Sequence, residues 1–474
     1  MKPPTIRSRI RTTAALATVV VIAAGCGRAG SGGSSGANPT RGSTGSSTTA
    51  AAQAGLGDFG SLKNVCHGGS ATGATDQGVT SGQIKLGVFT DVGFTHDPQL
   101  VYAASVFASW CNAAGGIDGR KIVPDTRDTQ LFNVAAQMAG ACGADFALVG
   151  GSAAFDGLGV KQRLQCLLPD FPAQPVDPQN YGSDLQVYPI TYGHSYNPFA
   201  GYYQWLITQQ YPDSAKHLGV LWGDESVTQV TSSQQAEALH GEGGTVVYNA
   251  SFPVIGLSNW TPYAEALKNK GVKGLVFEGT PQWLAALEQT MVAIDYKPDW
   301  IDTSPDDYGT TFVQTAGSRV LSFEHNYAGL DGEYPLEKDQ DNPATRQLVS
   351  LFAQYAQGQP VTLQDLQGWS AWLLFAVSAE TCGSDLTRKC VYDAAITRTA
   401  WTGGGLTSPV DLSKPDSPPT CWNAEQASPS GWQPASFHPN DGAFRCGAPV
   451  YKYTGSYPQP PTLSSVGKSL ADLR

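Results

Sequence analysis

Ser152 follows the apolar stretch Phe146-Ala147-Leu148-Val149 and two glycines. A hydroxyl placed where a strand ends and a helix begins can hold an anion, because the first N–H groups of a helix have no partner within it. The same placement suits a helix cap, so both readings stand for Ser152. A nucleophile would need more. In the strained strand-to-helix turn of a G-x-S-x-G elbow the last glycine allows close packing, and Ala154 holds that place here. A secreted hydrolase would rest on Ser152 alone, with seven histidines scattered along the chain. The remaining reactive groups are nine cysteines, and neither a CxxC pair nor an HExxH accompanies them. That spacing argues against a metal centre and for disulfides, and neither metal nor cofactor is expected.

These groups belong to a chain that leaves the cytoplasm. Lys2, Arg7, Arg9 and Arg11 precede an apolar run from Ala14 to Ala24, the layout of a secretory signal over residues 1–25. Ala23-Ala24-Gly25-Cys26 resembles the bacterial lipobox, which implies that Cys26 is acylated and anchors the protein outside the cytoplasmic membrane. Residues 26–57 are mostly Gly, Ser, Thr and Ala, too poor in apolar side chains to order themselves, and read as a flexible tether. The net charge of -11, with 29 Lys and Arg, leaves no basic face for nucleic acid. Past residue 26 no run is long and apolar enough to span a membrane.

With Cys26 assigned to lipid, eight cysteines are left to pair in an oxidising compartment. Short loops suggest Cys382 with Cys390 and Cys421 with Cys446. Cys111 and Cys142 fall near the ends of two successive helical patterns that would lie side by side. Elimination then leaves Cys66 with Cys166.

A chain of 474 residues exceeds what one apolar core supports, so two or three lobes are expected. Strands over 84–89, 121–123, 146–149 and 166–168 alternate with helical patterns over 101–114, 133–141 and 157–165, which predicts parallel βαβ units. After a helical stretch over 198–210, strands over 218–222, 245–252, 274–278 and 300–303 alternate with helices over 231–240, 262–270 and 282–294. The fold class is therefore α/β, two doubly wound lobes joined by crossovers. Lobe one takes residues 58–197, lobe two 198–325, and helices over 344–355 and 366–382 return the chain to lobe one over 326–407. The remainder, 408–474, is rich in Pro, Ser and Trp and reads as a disulfide-pinned extension over the surface.

The run Tyr102-Ala103-Ala104 through Trp110-Cys111-Asn112, then Gly115-Gly116-Ile117-Asp118-Gly119-Arg120-Lys121-Ile122 and Asp128, resembles the type I periplasmic solute-binding proteins of the branched-chain amino acid ABC transporter group. The likeness runs in order over about 83–400. It implies two lobes joined by three crossovers, with a ligand held in the cleft between them by hinge closure. It also implies site residues. Ser152 and Ala153 would meet a ligand carboxylate, and Ala173 and Gln174 would form a second such turn. Asp306 would face a ligand ammonium, and Thr280 stands where an aromatic side chain is common. Asp224-Glu225-Ser226-Val227-Thr228 also lacks the tyrosine usual there. Tyr196, Phe94 and His96 stand near strand ends or crossovers and are further candidates.

The function so implied is an extracytoplasmic substrate-binding lipoprotein, not an enzyme. It would work as a monomer that captures a small polar solute, an amino acid or a related compound, for an ABC permease. The alternative is a sensing or interaction lipoprotein built on the same fold, since fold alone does not fix function.

Overall fold

A computed structural model describes residues 55–190, 194–254 and 257–474; the signal, Cys26 and most of the tether lie outside these residues. The first sheet is built from β1 (Gln83–Thr90), β2 (Lys121–Asp128), β3 (Ala147–Val149) and β4 (Asp170–Phe171). All are parallel, in the order β2-β1-β3-β4. β1 is almost continuously buried from Leu86 onward, as expected of a parallel strand covered on both faces. The helix Gln99–Ala114 ends where Gly115 and Gly116 take φ of 119° and 85°, and a Cβ on Gly115 would stand 2.2 Å from the Gly68 nitrogen. Arg120 follows, fully buried, donating to the carbonyls of Thr72, Thr80, Gly383 and Ser384. The Gly-Gly-Ile-x-Gly-Arg run is thus a structural clasp.

The strand expected over 166–168 lies at β4 instead. Cys166 caps the helix Val160–Gln165, Leu167 is left-handed at φ 56°, and the Leu168 N–H returns to the Arg163 carbonyl, so extension begins two residues later. The helix Leu363–Cys382 starts at a capping box between Thr362 and Asp365 and is buried nearly all round. Its Trp369 and Trp372 pack on Phe107 at 4.9 and 5.5 Å between ring centres, the middle of the first lobe's core.

A short strand, β5 (Tyr196–Asn197), leads into the second lobe. There stand β6 (Leu218–Gly223), β7 (Val246–Phe252), β8 (Gly274–Glu278), β9 (Trp300–Asp302) and β10 (Asn326–Gly329), all parallel. The tail contributes β11 (Cys421–Trp422), β12 (Ala424–Ser428), β13 (Gly431–Pro434), β14 (Arg445–Cys446) and β15 (Tyr451–Lys452). The second sheet runs β13-β12-β10-β9-β8-β6-β7, with β12 antiparallel to β10. Two boundaries therefore move. The second lobe includes 326–329, past the expected limit at 325, and the extension completes its sheet edge as well as covering surface. The helix Thr310–Phe323, unread in the sequence, is broken at Gly317, whose φ of 76° interrupts the helical backbone while Phe312, Ala316 and Val320 keep one buried face.

Four passages join the lobes, one more than the resemblance implies. They run between β4 and β5, between β10 and the helix Pro343–Tyr355, before β11, and after β15. β15 pairs antiparallel with β5, binding the last passage to the first. Beyond it, Leu463 and Leu473 pack on Val160, Leu164 and Leu185 of the first lobe.

Cys382–Cys390 and Cys421–Cys446 are bonded as the short loops suggest. The other two pairings are corrected to Cys66–Cys111 and Cys142–Cys166. Cys111 and Cys142 belong to separate apolar clusters, so they do not meet although their helices are consecutive. The segment carrying Cys66 lies against the end of the Gln99–Ala114 helix, where the His67 N–H donates to the Gly116 carbonyl at 2.7 Å. Among the described residues, no helix is long and apolar enough to cross a membrane.

Candidate functional site

Parallel strands leave their carboxyl ends, and the loops that follow, on one side of a sheet, and ligands of open α/β sheets bind there. Such ends from both lobes meet around a cavity of about 290 Å³. The first lobe contributes Ala154, Gln174, Val176, Pro178 and Tyr181, and the first passage contributes His194, Tyr196, Asn197, Pro198 and Phe199. From the second lobe come Gly223, Glu225 and Thr228 after β6, Glu278 and Thr280 at the end of β8, and Asp302, Ser304 and Asp306 after β9. Thr231, Gln234 and Gln235 of the helix Ser226–Gly241 complete that side, and Tyr453 and Pro458 of the tail close it.

Two of the acidic groups have side-chain hydrogen-bond donors. Asp302 is buried and accepts from the Tyr202 and Tyr203 hydroxyls at 3.1 and 3.0 Å. Burial pushes its carboxyl up to about 7 although those hydroxyls hold it down. Glu278, half-buried, accepts from the Gln235 amide, and burial pushes it up to about 8, with Asp302 and Asp306 adding repulsion. Ser304 adopts φ 66°, strained for a residue with a side chain, and its hydroxyl accepts from the Asp306 N–H at 3.4 Å. That turn aims Asp306 at the cavity. Protein surrounds Asp306 closely enough to raise its carboxyl pKa, and the nearby Gln174 amide opposes the rise. Its surface nevertheless opens to the solvent of the cleft, and this exposure limits how far burial can disfavour the charge.

Of the residues singled out from the sequence, the structure brings Gln174, Tyr196, Thr280 and Asp306 together on this wall. Ser152 and Ala153 are elsewhere. They line a separate space of about 20 Å³ with Phe89, Met138 and Arg163, room for a water molecule and not for a solute. The Ser152 N–H is taken by the Phe89 carbonyl at 3.0 Å, so it offers no free donor. Ala173 is buried with its N–H on the Gly151 carbonyl, and Phe94 is 59% exposed and off the cavity wall, as is His96.

Sequence reading passed over Glu225, Glu278, Asp302, Gln235 and Tyr453. Glu278 and Asp302 end their strands, so the rule that ligands bind beyond strand ends was a sufficient signal for them. Gln235 lies mid-helix and Tyr453 in an irregular tail, where no pattern marks them. Among the described residues, no group of three or more His, Cys, Asp or Glu is arranged to hold a metal ion.

A family model described as periplasmic binding protein matches residues 83–422, well over half of the chain. No curated protein sequence matches. Among solved structures, a fatty acid ABC transporter substrate-binding protein from Thermomonospora curvata is similar, at 18% identity and a TM-score of 0.65, over 82% of this chain and 97% of that one. A substrate-binding periplasmic protein from Ralstonia solanacearum is similar at 17% identity and 0.62, over 74% of this chain and 100% of the other. A leucine binding protein from Thermotoga maritima is similar at 13% identity and 0.60, over 74% and 98%. At such identities the likeness is one of fold.

Proposed function

Because the chain belongs to the periplasmic binding protein family, we propose that it is the extracytoplasmic substrate-binding lipoprotein of an ABC transporter, anchored at the membrane through Cys26. It captures a small polar solute, an amino acid or a related compound, by closing its two lobes on it, and hands it to a permease as a monomer. The observation that carries this reading is the cavity of about 290 Å³, walled by strand ends of both lobes and by the passages between them. A solute touching both walls binds the closed arrangement better than the open one, and closure follows from that difference in affinity. Gln174 of the first lobe and Asp306 of the second both line this cavity, with Tyr196 and Thr280 beside them.

Thermal melting of the full-length protein against amino acids, amines, amides, sugars and organic acids tests the reading. A ligand at a hundredfold excess over its dissociation constant adds about 2.7 kcal/mol of stability. A broad library that leaves the midpoint unmoved would count against solute capture. Cys26→Ser should release the protein from the membrane fraction, and retention there would refute the anchor.

A further inference from the structure

We propose that the solute held in this cleft is an organic cation, an amine that carries no carboxylate. The inference rests on the solute-capture reading and narrows it. Glu225, Glu278, Asp302 and Asp306 line the cavity, and among the described residues no lysine or arginine does. The basic side chain that is present, His194, has its Nδ1 3.6 Å from Asp416 and so already neighbours an acid.

Acids alone would say little, but the amide of Gln235 gives an independent sign. Gln235 is 7% exposed and lines the cavity, its Nε2 is committed to Glu278, and its Oε1 is buried with no hydrogen-bond partner. A buried acceptor without a donor costs free energy that a ligand N–H would recover. Two hydroxyls of the neighbouring helix are already committed as donors. Thr228 donates to the Gly223 carbonyl at 2.5 Å and Thr231 to the Thr228 carbonyl at 3.2 Å, which leaves their oxygens as acceptors.

The rings of Tyr196, Phe199 and Tyr453 supply apolar surface, and aromatic faces attract cations. Tyr196 already has one neighbour of this kind, with the Lys452 ammonium 5.5 Å from its ring centre. A ligand that brings N–H donors, positive charge and a short hydrocarbon body matches the acids, the free Gln235 acceptor and the aromatic faces of this wall. A ligand carboxylate would face four acids, with no lysine or arginine among the described lining residues to receive it.

The test uses the full-length protein in neutral detergent, with calorimetric titration of probes matched in carbon skeleton. Hexylamine, 1,6-diaminohexane and phenethylamine are compared with hexanoate, 3-phenylpropionate and leucine. The amines should bind and raise the melting midpoint, and their carboxylate twins should not. Glu278→Gln and Asp306→Asn should each weaken amine binding by about tenfold or more while the unliganded protein melts cooperatively. Binding of carboxylates or leucine without amines would overturn the inference and leave solute capture standing. Amine binding untouched by both substitutions would overturn this assignment of the site. Silence from these probes and from a broad uncharged library would overturn both.

Discussion

At the strand ends of the first lobe, Asp91 and Asp156 turn inward. Asp91 accepts from the Leu131 and Ala154 N–H groups, both at 2.7 Å, and from the Thr129 hydroxyl, tying together the loops after β1, β2 and β3. Asp156 accepts from the Val176 and Asp177 N–H groups at 3.0 and 2.9 Å and from Asn180 at 2.8 Å. At the equivalent ends of the second lobe, Glu225, Glu278 and Asp306 point to the cavity. Disulfides divide the same way, with three in the first lobe and Cys421–Cys446 bracing the tail on the second. One lobe uses its acids and cross-links to hold a rigid jaw, and the other keeps acids for whatever enters. Identical residue types at corresponding places thus differ in role through the donors nearby.

Four experiments would break or sharpen this contrast. The largest effect is expected from Cys66→Ser with Cys111→Ser, which opens a loop of sequence separation 45 and should cost about 4 kcal/mol in denaturant unfolding. By the same rule removing Cys421–Cys446, with a separation of 25, should cost about 3.5 kcal/mol, so the lobes differ in the number of cross-links and not in the strength of each. Next, Asp91→Ala strands three donors and should cost about 3 kcal/mol. Melting that falls as far in Glu278→Gln would show that the second lobe's acids are structural too.

Third, pH should move stability and amine affinity in opposite directions. The Asp302 and Glu278 carboxyls are raised in the folded protein to about 7 and about 8 from ordinary values near 3.8 and 4.5. Their protonated forms favour folding, so this contribution is fully present below about pH 4 and is lost as pH rises through 7 and 8. Ionised carboxylates favour an amine, so its affinity should rise over the same interval. Melting and calorimetry at pH 5.5 and 8 would show a crossing, and parallel changes would refute the assignment.

The smallest effect concerns Glu237, which accepts from Tyr451, Thr454, Gly455 and Tyr457 of the tail. Those bonds hold its carboxyl down to about 2 against the opposing push of burial, so its contribution is present above about pH 4.5 and lost as pH falls toward 2. Glu237→Gln should cost below about 1 kcal/mol, because solvent screens so exposed a latch. Faster hydrogen exchange confined to the tail would be its signature.

The alternation of strands and helices was legible because parallel strands are short apolar runs between amphipathic helices, as in β1 and the Gln99–Ala114 helix. What escaped was non-local. Cys66 finds Cys111 through packing that no spacing encodes, and β12 finds β10 across about a hundred residues of chain. The site was partly legible for a similar reason. The resemblance led to Thr280 and Asp306, but whether Ser152 faces the cleft depends on where the Phe89 carbonyl lies, which only the fold determines.

The return of the tail to the first lobe has a consequence in time. Leu463 and Leu473 fill the apolar surface of Val160, Leu164 and Leu185, and β12 covers the edge of β10. Synthesis delivers these residues after both lobes, so each lobe stays unfinished until the tail is in place. A version truncated after Ser408 should therefore refold more slowly and expose more apolar surface to a hydrophobic dye than the full chain; equal behaviour would show that the tail is added to lobes already complete. The last residues thus complete both lobes at once.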